Sequence, residues 1–219
     1  MKIKSSKDNI VVLTAETQYE LTSTFLRMQE YYESPEFKGI VFDLEDYMDW
    51  YAEKYGNFTY YSDWNGFNVP GDVVCSFFNE FEKFSNRLSK KEQDLYNILE
   101  EYIVSDQKFY VIGLWKTDNT VEHELCHAFY YIDPAYKKEM HSLLKNVPEE
   151  FKHRCRKVLQ SDGYHKSVFV DETVAYLATN KITDFVDMFG EQVPWHDILP
   201  LQIAFEKRYE EYEKANSLA

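Results

Sequence analysis

His123, Glu124 and His127 stand in the order H-E-x-x-H within the stretch Thr120 to Asp133, and these residue types at this spacing can build a hydrolytic metal site. Residues four apart lie on one face of an α-helix. Two imidazoles can therefore grip one ion while the glutamate, one position after the first histidine, reaches the rim of the same site. Zinc held this way keeps a position open for water, lowers that water's pKa towards neutrality, and leaves the glutamate to take the proton as the oxygen attacks a carbonyl. Val121, Leu125, Ala128, Phe129 and Ile132 make an apolar helical stripe, which puts the histidines on the opposite side, looking out of a buried helix into a cleft. Cys126 lies off the histidine face and reads as a small buried hydrophobe.

A metal needs a third protein ligand, and three residues compete for the role. Asp133 has the spacing of H-E-x-x-H-x-x-G-x-x-D sites, but Tyr130 stands where the chain-turning glycine would be. His141 follows a proline break without a supporting local pattern. Glu172, in Asp171-Glu172-Thr173-Val174-Ala175-Tyr176-Leu177-Ala178, is the best of the three. It opens a helix whose Val174, Leu177 and Ala178 form a core face, while Glu172, Ala175, Tyr176 and Thr179 share the other. A small residue at 175 would let this helix lie close against the motif helix, completing a His/His/Glu set from His123, His127 and Glu172.

The elements that must hold these residues follow from periodicity and punctuation. Asn9 to Ala15 reads as a strand, and a Thr17/Glu20 capping box opens a helix through Leu21, Phe25, Met28 and Tyr32 that stops near Ser34-Pro35. Gly39 to Asp43 and Phe58 to Tyr61 are short strand candidates on either side of a helix from Leu44 to Tyr55 closed by Gly56. The aromatic, turn-rich stretch Ser62 to Gly71 is a packed loop or a wall of the substrate cleft. Helices are expected over Asp72 to Phe84 and from a Ser89/Glu92 capping box to Ile103. Lys108 to Trp115 is the clearest strand. With a free edge it would hold an extended peptide over the zinc by backbone hydrogen bonds; otherwise it is a central strand. After Asp133-Pro134 the chain reads as helical: Ala135 to Lys145, Pro148 to Gln160 closed by Asp162-Gly163, a helix from near Asp171, and Leu199 to Lys214.

Composition bounds the rest. The 219 residues, 44% hydrophobic and 17% aromatic, suffice for one substantial core, and 7 Gly and 6 Pro argue against flexible linkers. A net charge of −14 repels nucleic acid and anionic membranes, so neither is an expected partner. The amino terminus has lysines without an apolar run behind them, and Cys75, Cys126 and Cys155 form no C-x-x-C pair. The expected setting is a reducing, cytoplasmic one.

The pairing of His-Glu-Leu-Cys-His with a downstream Asp-Glu-Thr-Val-Ala resembles the gluzincin branch of zinc metallopeptidases, across roughly residues 108 to 180. Thermolysin-like gluzincins carry N-E-x-x-[SA]-D as the second motif. Here the Glu and Ala match, while Asp171 replaces the Asn and Tyr176 the last Asp, leaving the carboxylate that usually orients a ligand histidine unassigned. The resemblance implies a donor for the substrate's carbonyl oxygen, and Tyr164, His165 and His196 compete for that role. It also implies a zincin-like α+β domain covering 1-219, with a mixed lobe holding a small sheet before about residue 118, a mainly helical lobe after it, and the site between them. The expected activity is peptide-bond hydrolysis on zinc with Glu124 as general base and a peptide or protein as substrate. A metal-binding interaction or regulatory module without peptidase activity is the alternative, and a metal-free helical protein the third reading.

Overall fold

β2 (Ile10–Thr14) and β4 (Tyr110–Leu114) are buried almost throughout because they form the inner pair of a four-stranded sheet ordered β1-β2-β4-β3, with β1 (Lys2–Lys7) and β3 (Gly66–Pro70) outside them. This computed structural model describes residues 1–7, 9–83, 88–105, 107–115, 120–181, 183–185 and 195–216. The inner pair is parallel, with Val12 opposite Ile112, and both outer strands pair antiparallel. Strands covered on both faces carry near-continuous apolar runs, which is how these two read.

α1 (Gln18–Glu33) lies directly on this sheet. A Cβ at Gly113 would stand 2.5 Å from the Phe25 ring, so only glycine lets helix and strand approach this closely. The Thr17 hydroxyl caps α1 by accepting the Glu20 N–H at 3.0 Å, while the Glu20 carboxylate reaches back to the Glu16 N–H at 2.7 Å, one residue beyond the expected box. α2 (Leu44–Tyr55) ends on Gly56 at φ 90°. α3 (Tyr60–Asp63), α4 (Gly71–Lys83) and α5 (Lys90–Val104) complete the first of two compact units, Met1–Asp118. The Ser89/Glu92 capping box is present in full, and Glu92 also accepts the Arg27 Nε–H at 2.8 Å.

Three expectations need correction here. Gly39 to Asp43 forms a turn and irregular chain, and Phe58 to Tyr61 leads into α3 rather than a strand. Tyr60 is buried edge-on to Tyr47, with ring centroids 5.8 Å apart, and this packing overrides the strand preference of the aromatics. Conversely, the turn-rich stretch contains β3: Phe67 and Val69 are core residues, and Asn68 is satisfied by the Tyr110 hydroxyl. Its terminal Gly66 and Pro70 are tolerated because the strand lies at the sheet edge. Of the two readings left open for Lys108 to Trp115, the central strand is the one observed: β4 has a partner on each side and offers no free edge to a peptide. The expected helix end at Phe84 falls outside the described residues.

The second unit, Asn119–Ala219, is helical among its described residues: α6 (Thr120–Ile132), α7 (Pro134–Leu144), α8 (Glu149–Ser161), α9 (Phe169–Thr179) and α10 (Trp195–Ala215). α9 packs against α6, α8 and α10, and α7 packs against α6 and α10. Leu125, Ala128 and Phe129 of α6 are buried as expected, while Val121 and Ile132 at the ends of the stripe are half-buried. The chain is thus α+β, mainly helical with a small mixed sheet. No helix among the described residues is long and apolar enough to cross a membrane.

Candidate metal centre

α6 and α9 converge their polar faces on one point. The helical spacing of His123 and His127 sets their rings 4.8 Å apart at 81°, with the two Nε2 atoms 3.2 Å apart. From α9, Glu172 brings Oε2 to 3.5 Å from His123 Nε2 and Oε1 to 3.5 Å from His127 Nε2. Tetrahedral ligands about 2.1 Å from a zinc ion would lie about 3.4 Å from one another; the separations here are close to that, with the two Glu172 distances belonging to different oxygens, and with one ligand atom per residue the three lie within 4.8 Å of one another. Among the described residues this is the one group of three or more His, Cys, Asp or Glu side chains close enough to share an ion, and Asp133, His141, His165 and His196 lie outside it.

The histidine face, expected to look into a cleft, is largely covered by α9. His127 is 1% exposed and Glu172 2%, because α6 and α9 pack together around them; His123 is the accessible member, with 18% of its side chain exposed. Glu124 is buried on the same helix and adds its negative charge at His127 and at Tyr176.

The far nitrogens of both rings face oxygen atoms of α9. Thr179 Oγ1 lies 3.4 Å from His123 Nδ1 and donates its proton to the Ala175 carbonyl at 2.8 Å, so towards His123 it can only accept. His123 then carries its proton on Nδ1 and keeps an Nε2 lone pair for an ion. On the other ring, His127 Nδ1 lies 3.0 Å from Asp171 Oδ1.

Charge in the cluster asks for a cation. Burial alone would push the His127 pKa down, but the Asp171, Glu172 and Glu124 carboxylates outweigh it and raise it to about 10. Burial likewise opposes a Glu172 carboxylate, and the positive charge of a protonated His127, with the hydrogen bond and charge of His123, more than offsets it and holds its pKa below the usual range. Glu172 Oε2 is nevertheless buried without a hydrogen-bond partner, an orphan that a metal ion at the cluster would satisfy. The residues present fit zinc in donor type, spacing and charge.

No protein-family model, curated protein or solved structure matches this chain. The site is therefore read from its own geometry.

The remaining sequence candidates fall into place individually. Asp133 is the N-cap of α7, accepting the Ala135 N–H at 2.6 Å and the Tyr136 N–H at 3.3 Å. His141 pairs through Nε2 with the Tyr130 hydroxyl. His196 is exposed beside Asp197 at 3.2 Å, and His165 shares a 2.9 Å hydrogen bond with Ser167. The Tyr164 hydroxyl bonds to that of Tyr176, whose ring sits 5.0 Å from His123. Cys126 is fully buried, and burial pushes its thiol up to about 12 despite a contact with the Tyr136 hydroxyl.

Tyr176, Thr179 and Asp171 were not among the residues expected to act. The first two lie four and seven positions after Glu172, and that shared face is the signal for them. Asp171 had none, because helical spacing turns it about 100° away from Glu172.

Proposed function

We propose that this chain is a zinc-dependent peptidase of the gluzincin type, with a zincin-like α+β fold. The observation that carries this reading is the cluster of His123 Nε2, His127 Nε2 and the Glu172 carboxylate, the two nitrogens 3.2 Å apart and each 3.5 Å from a different Glu172 oxygen, with a buried glutamate one residue from the first histidine.

Bound zinc would polarise the scissile carbonyl and the attacking water. The chain's own residues then divide the remaining work. Once His127 gives up its proton in favour of a bound cation, His123 and His127 would present Nε2 lone pairs to it, and Glu172 would contribute a carboxylate with an orphan oxygen. Glu124 takes the proton from the attacking water and returns it to the leaving amine nitrogen. Tyr164, whose hydroxyl donates to Tyr176 beside His123, would turn that O–H to the carbonyl oxygen as negative charge develops there; His165, held by Ser167, is the second candidate.

The test compares wild type with Glu124→Gln, each loaded with one equivalent of zinc, on a peptide library. Equal zinc content with a rate lower by about 10²–10⁴-fold in the variant is expected. A fully active variant would remove the mechanism. Zinc bound tightly with no cleavage by the wild type would assign a metal-binding interaction module without peptidase activity.

A further inference from the structure

The cluster opens to solvent on the His123 side, where the Tyr176 ring lies 5.0 Å from the imidazole. The Tyr176 hydroxyl accepts from Tyr164, and the Glu172, Asp162 and Glu124 carboxylates all act on it. Of these groups only Asp162 has no part in the proposed chemistry. It is the C-cap of α8, and Gly163, at φ 91°, turns the chain there so that Tyr164 comes two residues later. A carboxylate at a helix C-terminus faces the negative end of the dipole, so the helix gains nothing from this charge. No neighbour offsets it. Among the described residues Asp162 forms no ion pair, and the Ser161 hydroxyl 3.5 Å away makes its shorter bond, at 2.8 Å, to the Val158 carbonyl. Asp162 is exposed, within reach of a ligand, and desolvation on its enclosed side lifts its carboxyl above the usual range.

We infer that Asp162 sets substrate preference: it selects peptides that carry a lysine or arginine next to the scissile bond and pairs with that cation. The charge of the site points the same way, independently of the helix argument. With both imidazoles neutral, the Glu124, Asp171 and Glu172 carboxylates outnumber the charge of a bound dication by one, and Asp162 adds a further negative charge at the open side. The groups that act most strongly on His127, Glu172 and Tyr176 include no lysine or arginine to cancel the excess. A cationic substrate residue supplies what is lacking. An acidic one in its place meets like charge and is disfavoured. The chain's net charge of −14 acts in the same direction by drawing cationic peptides towards it.

This inference rests on the peptidase reading and names its substrate class, and its test reads binding as well as turnover. Zinc-loaded wild type, Asp162→Asn and Glu206→Gln, an exposed position of α10 that controls for net charge, are given peptides differing only in a lysine, norleucine or glutamate beside the scissile bond. Cleavage of the amides is followed as kcat/KM, and the affinity of uncleavable ketomethylene analogues by calorimetry. Wild type should favour lysine over norleucine by about 5–20-fold in both readouts and take glutamate least, with the preference shrinking as salt is raised. Asp162→Asn, nearly isosteric at an exposed position, should lower the lysine-to-norleucine ratio by more than about threefold, and Glu206→Gln should leave it within about twofold. A wild-type ratio below about threefold, a smaller fall in Asp162→Asn, or an equal fall in Glu206→Gln would overturn the inference, while cleavage of the peptides leaves the peptidase reading standing. A wild type that cleaves none of them would fail the peptidase reading, and this inference with it.

Discussion

Asp133 has the spacing of a third ligand and the contacts of a helix cap. Its carboxylate accepts two backbone N–H groups at the start of α7 and the Tyr212 hydroxyl at 2.7 Å, which leaves it no role at the cluster. Asp133→Ala should therefore cost about 1–2 kcal/mol in urea unfolding while zinc content stays at the wild-type level. Zinc loss from a folded Asp133→Ala protein would return the residue to the ligand set. Glu172→Ala should do the reverse and lose the metal from a folded chain, checked by elemental mass spectrometry. The same contrast explains what was legible at this scale. His123, Glu124 and His127 are marked by spacing within one helix, and Glu172 by its place on the polar face of another. Asp171 faces a ring that only the packed helices bring to it.

At the scale of elements, the closest approach in the first unit is that of α1 to β4 at Gly113. Adding a methyl group there would place it 2.5 Å from the Phe25 ring and 3.0 Å from Leu21, so α1 would have to lift from the sheet. Gly113→Ala should destabilise the protein by about 1–3 kcal/mol, seen as a lowered thermal midpoint. A midpoint equal to wild type would mean that α1 yields without cost. The amphipathic helices and the two inner strands were readable because their apolar positions repeat at 3.6 residues or run unbroken. β3 was not, because Gly66 and Pro70 carry the signature of a turn and its core contacts come from strands and helices distant in sequence.

Over the whole molecule, an excess of acidic groups makes pH a lever on stability. Burial raises the Glu30 carboxyl to about 7, although the Tyr60, Tyr47 and Ser34 hydroxyls pull it down. An unfolded glutamate titrates near 4.3, so between about pH 4.3 and 7 the native state binds the proton that the unfolded state has released. This contribution is fully present below pH 4.3 and is lost as the pH rises through about 7. Glu30→Gln should remove that decline, leaving the variant about 1–3 kcal/mol more stable than wild type at pH 8. Urea unfolding of both proteins at pH 5 and pH 8 checks this, and an unchanged pH dependence in the variant would contradict it.

The sequence alone determined the helices of the second unit, the two inner strands and the shared face of the motif histidines, because each is encoded in short-range spacing that backbone geometry translates directly into a face or a cap. Tertiary structure decided the rest. It placed β4 between two partners, closed α9 over the histidine face so that His127 is buried, and brought Asp171 to Nδ1 of that ring. These features depend on which elements pack together and how closely, and that is settled by the summed burial of side chains far apart in the chain.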